Sequence, residues 1–377
     1  MGLLRFILAL SVFFVHTGSL YGLKLVGSSV AVQSFFVISG FYMSLILNEK
    51  YKGPGSYYLF ITNRFLRLLP AYWVVLALAV LVIYLLRPYS AEEPWVSYGF
   101  DMFFPLLDIK AQALIIFSNF FMLGHDLLNL LRVDPQTGFF ALTLDPSRAS
   151  STGFPPVLTF FFIPPAWSLG TELLFYLVAP FLVRRRKRAL FALISLSLIL
   201  RVVMFYSGYT HTAWQFQFFP TELALFLAGA LSYRLYRSGA ALFSSRFGLY
   251  ATIILIGATF VYSYLPGIEV QGAQMKKWGY YLLLIFLMPA AFSYTSNFKT
   301  DRYLGDLSYP VYVVHYVVIW LWVMLREGLV GRVDDSLLHL SLLALTLVLS
   351  VALFHFVIKP MERFRQSRVA GVSSPRA

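Results

Sequence analysis

Apolar residues along this chain fall in long blocks that follow one another from end to end, separated by polar or basic stretches. Blocks near 6–23, 28–47, 68–86, 165–183, 189–207, 217–233, 247–264, 278–296, 307–325 and 338–357 approach or exceed the length that carries a helix across about 30 Å of hydrocarbon. In lipid a single segment satisfies its own backbone only as a helix. The predicted fold class is therefore an all-α integral membrane protein with about ten transmembrane helices. The segment 111–131 is also apolar. Making it an ordinary eleventh span would put the RRRKR run at 184–188 outside, so it is predicted to re-enter or lie at the interface.

Charge fixes the orientation that the blocks leave open. With both termini cytoplasmic, the inner side collects 20 Lys and Arg against 9 outside, while the outer side holds 11 Asp and Glu against 4 inside. That asymmetry follows the positive-inside rule. The formal net charge of +13 then reads as basic cytoplasmic loops and membrane-lipid contact, with no nucleic acid implied. A composition of 59% hydrophobic and 12% charged residues leaves too little polar surface for a soluble protein. The absence of cysteine excludes disulfides, thiolate metal sites and cysteine nucleophiles.

Residues 1–360 are expected to form one transmembrane domain and 361–377 a short basic cytoplasmic tail. The N-terminal run has no clear cleavage site and is expected to be retained. Residues 87–164 make the largest outer region. It carries turn signals at Asp134-Pro135, Asp145-Pro146 and Phe154-Pro155-Pro156, and aromatics such as Trp95, Tyr98, Phe100, Phe103 and Phe104 that suit the membrane interface. No phosphate-binding glycine loop, GxSxG or HExxH occurs.

An ionisable side chain in a membrane helix must face protein or a wet cavity, which makes each one a site candidate. His16 lies 11 residues after Arg5, about 16 Å along a helix, and Glu172 lies 12 residues before Arg184, about 18 Å above the basic cluster. A carboxylate at that depth would orient a histidine acting as general base, the plainer alternative being a helix–helix hydrogen bond. Arg64 and Arg67 share one helix face and, with Arg5, concentrate donors suited to phosphate at the inner mouth of the first spans. Lipid anchoring is the alternative there. Arg201 and Glu222 suit a structural ion pair or a substrate contact. Ser308, Tyr309, Tyr312 and His315 suit a hydrogen-bonded network or catalysis. His125, His211, His339 and His355 show no metal-ligand spacing, and no metal is expected.

These residues come in an order that resembles the acyltransferase 3 family of multispanning membrane acyltransferases. Arg5, ten residues and His16 are similar to its Arg/Lys-x10-His signature. FFVISGF at 35–41 places Ser39 and Gly40 on its Ser-Gly pair, and NRFLRLLPAYW at 63–73 places Arg64 and Arg67 on its Arg-x-x-Arg. PAWSLGTELLFYLVAPFL at 165–182 carries Glu172, FPTELALFLAGAL at 219–231 carries Glu222 and Gly229, and LGDLSYPVYVVHYVVI at 304–319 matches the late Ser-Tyr-x-x-Tyr-x-x-His stretch. Leu173 stands where the family often has a second acidic residue. The appended esterase-like domain of some relatives is not expected.

The resemblance implies an acyl-CoA donor, most often acetyl-CoA, and a hydroxylated glycan or lipid-linked sugar acceptor at a bacterial cytoplasmic membrane. The physical reading of the residues gives that implication a geometry, with His16 and Glu172 expected as catalytic residues and Arg64, Arg67 and with them Arg5 as donor-binding residues. A succinyl or longer acyl donor is the alternative within the class. A transporter or flippase of a lipid-linked sugar, or a non-enzymatic membrane sensor, lies outside it.

Overall fold

The computed structural model describes residues 1–377 except 19, 90–94, 135, 147–154, 240–244, 268, 271–272, 330–334 and 374–377; the turn signals at Pro135 and Phe154 lie outside the described residues. The expected spans all coincide with helices: α1 Gly2–Thr17, α2 Ser28–Glu49, α3 Ser56–Leu86, α5 Trp167–Leu182, α6 Lys187–Tyr206, α7 Phe219–Gly239, α8 Ser245–Val261, α9 Lys276–Thr295, α10 Lys299–Leu329 and α11 Asp335–Leu353. Eight of the described helices are long and apolar enough to cross a membrane. The two remaining expected spans are α1, which has 16 residues, and α7, which carries Glu222, Arg234 and Arg237. α1 stops at Thr17 and not near 23 because Gly18 turns the backbone at φ 97, a conformation that side chains other than glycine rarely adopt. His16 therefore sits in the last turn of its helix.

The apolar segment at 111–131 contains α4, Ile109–Phe121, whose 13 residues span about 20 Å and fall short of the hydrocarbon thickness. It is tied inward by Tyr72, whose hydroxyl donates to the Asn119 carbonyl at 2.6 Å, and by Asn119, whose amide donates to the Phe160 carbonyl at 2.9 Å. Beyond it lie the single turn His125–Leu128 and a ribbon of β1 Leu131–Val133 against β2 Phe140–Leu142, antiparallel with Leu131 opposite Leu142. These pack Leu107, Ile115, Val133 and Phe160 into a small separate core.

At the other end, α11 continues through one π-helical turn, Phe354–Ile358, into α12, Lys359–Ser373. The segment expected as a tail is thus helical over its described residues. Arg368 fastens it to the start of α3, donating to Asn63 Oδ1 and Thr62 Oγ1 at 2.8 Å each.

Burial identifies the central helix. The apolar window of α2 is 78% buried within the protein against 17% for α6, whose Phe191, Leu196, Ile199 and Val202 face outward as lipid-facing side chains do. α2 reaches the centre by unusually close packing on α7. A Cβ at Gly40 would lie 1.8 Å from the Phe226 carbonyl oxygen, and one at Gly229 would lie 1.9 Å from that of Val37. Small residues at such crossings let two backbones approach. α1 in turn packs along α10, where a Cβ on Gly2 would strike the Asp301 carbonyl.

Candidate functional site

A cavity of about 920 Å³ lies among α1, α2, α3, α5, α10 and α12. Arg5, Arg64 and Arg67 line its basic end, and Ser39, Glu172, Ser168, Tyr309 and Tyr312 line it further in. Helical spacing explains the grouping: Arg64 and Arg67 are one turn apart on α3, as are Glu172 and Ser168 on α5.

The guanidiniums of Arg5, Arg64 and Arg67 form no salt bridge and no hydrogen bond with the described residues. Two of them rest on aromatic faces instead, Arg5 at 5.8 Å from the Tyr42 ring and Arg64 at 5.7 and 5.9 Å from those of Phe60 and Tyr176. Arg64 is only 4% exposed and its Nε has no partner. Buried donors without acceptors are costly, so an anionic ligand would be strongly favoured there.

Glu172 is satisfied from within the cavity wall. Ser39 Oγ donates to its Oε1 at 2.7 Å, and the Tyr176 hydroxyl, one turn along α5, donates to the same oxygen. His16 does not meet it. Nδ1 of His16 pairs with Nε2 of His315 at 3.1 Å, with the rings stacked 15° from parallel and Tyr316 edge-on to both. The meeting of His16 with Glu172 that equal depth suggested fails because α1 lies against α10 and α2 and not against α5. Helix order and rotation, which depth does not specify, decide the partner.

Neither histidine lines the cavity. His16 is exposed, His315 is fully buried, and Tyr312, one turn from His315 on α10 with its ring 6.0 Å away, lines the cavity. Its hydroxyl lies 2.6 Å from Ser168 Oγ and donates to the Pro165 carbonyl at 3.1 Å, with the Phe35 ring edge-on at 6.3 Å. Tyr309 is held by a bond from its hydroxyl to the Leu68 carbonyl at 2.7 Å, and Ser308 Oγ donates to the Gly305 carbonyl at 2.7 Å.

Arg201 and Glu222 lie apart from the cavity and pair with each other at 2.8 Å. Gln33 of α2 donates to both Glu222 oxygens at 2.8 and 2.9 Å, and the Tyr281 hydroxyl donates to Gln33 at 2.6 Å. The geometry is that of a structural tie among α2, α6, α7 and α9. No cluster of three or more potential metal ligands occurs among the described residues.

Sequence reasoning did not single out Gln33, Ser168, Tyr176 or Arg365. Tyr176 had a usable signal, its i+4 spacing from Glu172. Gln33 had another, a lone amide inside an apolar span.

Comparison with known proteins gives one match. A model of the acyltransferase 3 family, described as an acyltransferase domain, covers residues 1–355. No curated protein and no solved structure matches.

Proposed function

The chain belongs to the acyltransferase 3 family and is a membrane acyltransferase, and we propose that it carries an acetyl group from cytosolic acetyl-CoA to a hydroxyl of an extracytoplasmic glycan. The observation that carries the reading is the set of unpaired guanidiniums, Arg5, Arg64 and Arg67, in one cavity that Tyr312, a turn from His315, also lines. Phosphates of the donor would occupy the arginines, as planar fork donors favour. The pantetheine arm would run past Glu172 toward Tyr312. The charge asymmetry of the loops supports entry of the donor from the cytoplasm, while residence in a bacterial cytoplasmic membrane rests on the family resemblance.

The acceptor would come from the side on which His16 is exposed. His16 Nε2 would take the hydroxyl proton as the oxygen attacks the thioester carbonyl, with Nδ1–H donated to Nε2 of His315. The C–S bond then breaks, and the leaving thiolate takes the proton back from the imidazolium, giving the O-acyl ester and free CoA. Transfer requires Tyr312 to move off Ser168 so that the thioester and His16 come together. His315 thus fills the orienting role first expected of Glu172, while Glu172 orders the cavity wall.

A second reading has one specific observation behind it. The 2.7 Å bond from Ser39 to Glu172 is a hydroxyl–carboxylate pair inside the donor cavity, as transient acylation of the Ser39 hydroxyl would require. Purified protein in nanodiscs, supplied with radiolabelled acetyl-CoA and no acceptor, separates the two: label retained on wild type and lost in Ser39→Ala supports the covalent route, and no label supports direct transfer. Deleting the gene and measuring surface glycans by mass spectrometry tests the function itself. One missing acetyl mass is the expected result; an unchanged glycan profile would remove the glycan acceptor, and a missing succinyl or longer mass would replace the donor.

A further inference from the structure

We propose that the C-terminal helix α12 closes the inner end of the donor cavity and that its Arg365 is a phosphate-binding guanidinium acting beside Arg64 and Arg67. The inference rests on the acyl-CoA reading above. It concerns a part of the chain on which family membership is silent, because the match ends at residue 355 and α12 begins at Lys359.

Four residues of α12 line the cavity, namely Glu362, Arg365, Gln366 and Val369. Their spacing of three, four and seven is one continuous helix face. That face is held in place by Arg368, whose bonds to Thr62 and Asn63 dock α12 next to Arg64 on α3. The docking brings two buried guanidiniums into the lining of one cavity. Arg64 is 4% and Arg365 6% exposed, and each has an Nε–H with no acceptor. Arg365 gives only Nη1 to a carboxylate, that of Glu362 one turn earlier on its own helix. The Nε edge stays available, and this is an edge through which guanidinium grips phosphate in a bidentate manner.

The acidic residues of the wall take up little of this capacity: Asp306 attracts Arg67 and Arg5 without a salt bridge to either, Glu362 takes only Nη1 of Arg365, and Glu49 pairs with Arg237. Glu172 is held by Ser39 and Tyr176, and Asp301 accepts from the backbone amides of Gly2 and Leu3. A ligand with several phosphates, such as a 3′-phosphoadenosine diphosphate, meets the surplus. A single carboxylate would leave most of the donors unpaired.

The test is CoA binding by isothermal titration to the full chain in phosphatidylcholine nanodiscs, with folding checked by gel filtration and thermal unfolding. Arg365→Ala is expected to weaken CoA by about 10- to 100-fold, the range of a charged hydrogen bond, and Arg365→Lys to fall between it and wild type. Pantetheine, which lacks the phosphates, should bind both equally. Glu362→Gln should bind CoA as tightly as wild type or more so, since it frees Nη1. Equal weakening by Glu362→Gln and Arg365→Ala would assign Arg365 to its own helix and overturn the proposal. So would wild-type affinity in Arg365→Ala alongside loss in Arg67→Ala, an outcome that leaves the acyl-CoA reading standing. Absence of CoA binding to wild type would instead defeat that reading. Repeating the titration with phosphatidylglycerol in the discs distinguishes a lipid headgroup: Arg365→Ala that changes only the response to this lipid, with CoA affinity intact, would also overturn the proposal.

Discussion

Nδ1 of His16 lies 3.1 Å from Nε2 of His315, the first ring exposed and the second sealed inside the helix bundle. For His16 to receive a proton on Nε2, Nδ1 must carry a hydrogen and His315 must offer a lone pair. In the proposed mechanism the buried ring would hold the exposed one in the tautomer that leaves Nε2 free, a role that a second group commonly plays for a basic histidine.

Replacing His16 by Ala should lower kcat by about 10²- to 10⁴-fold, the usual contribution of a general base. His315→Phe keeps a planar aromatic ring but removes the acceptor, and should lower kcat by about 10²-fold through misorientation with the donor KM unchanged. His315→Gln, which restores an acceptor, should recover part of that loss. Steady-state rates on nanodisc-embedded protein check this. Parallel loss of kcat and thermal stability in both His315 variants would reduce the residue to a packing role.

In the proposed mechanism Tyr312, which lines the cavity next to His315, is the barrier between donor and histidines. Because the chain has no cysteine, a single Ser39→Cys substitution reports on that separation without background. A membrane-impermeant thiol reagent applied on the His16 side should leave the introduced thiol unmodified when Tyr312 is present and label it when Tyr312→Ala is added. Equal labelling in both backgrounds would mean that Tyr312 is no barrier.

Gly229→Val should abolish folded protein, because its Cβ meets the Val37 carbonyl and overpacking costs about 1–3 kcal/mol even where neighbours can shift. Gly257→Ala on α8 is the control. A Cβ there meets nothing within 4 Å, and the change should stabilise by about 0.5–1 kcal/mol through helix propensity. Fluorescence-detected gel filtration and thermal unfolding read both.

Asp126 lies outside the spanning helices. Burial pushes its carboxyl up to about 7, and neither side-chain oxygen has a partner. The folded protein therefore holds a proton that the unfolded chain releases near pH 4. The carboxylate's destabilising effect grows between about pH 4 and 7 and is constant above. Asp126→Asn should raise the unfolding temperature at pH 8, and the gain should vanish toward pH 4. His125 beside it is pushed down to about 3 by burial and stays neutral when folded. It destabilises in the opposite direction, as pH falls below about 6.5, so the variant should also show a steeper loss in acid than wild type.

The spans were legible because a bilayer demands long, uniformly apolar helices, and the arginine pair was legible because i+3 spacing alone puts Arg64 and Arg67 on one face. The polar meeting points were not. Depth along a helix put His16 and Glu172 level, but contact depends on which helix is the neighbour and how it is rotated, and lipid-facing and protein-facing sides look alike in composition when both are apolar. The donation from Ser39 to Glu172 and the return of α12 to α3 depend on the same hidden variables. The length of α4 was obscured because the apolar stretch runs on past Met122, where the backbone turns at φ 62.

The tie of Gln33 to Glu222 and Arg201, together with the interlocked Gly40 and Gly229, bolts α2 to α7 at two heights. A helix pinned twice can neither slide nor roll without exposing an ion pair to lipid. It would act as the stator of the proposed reaction, and the displacement that brings donor and His16 together would come from α10, where Tyr312 is latched by hydroxyl bonds that a rotamer change can release.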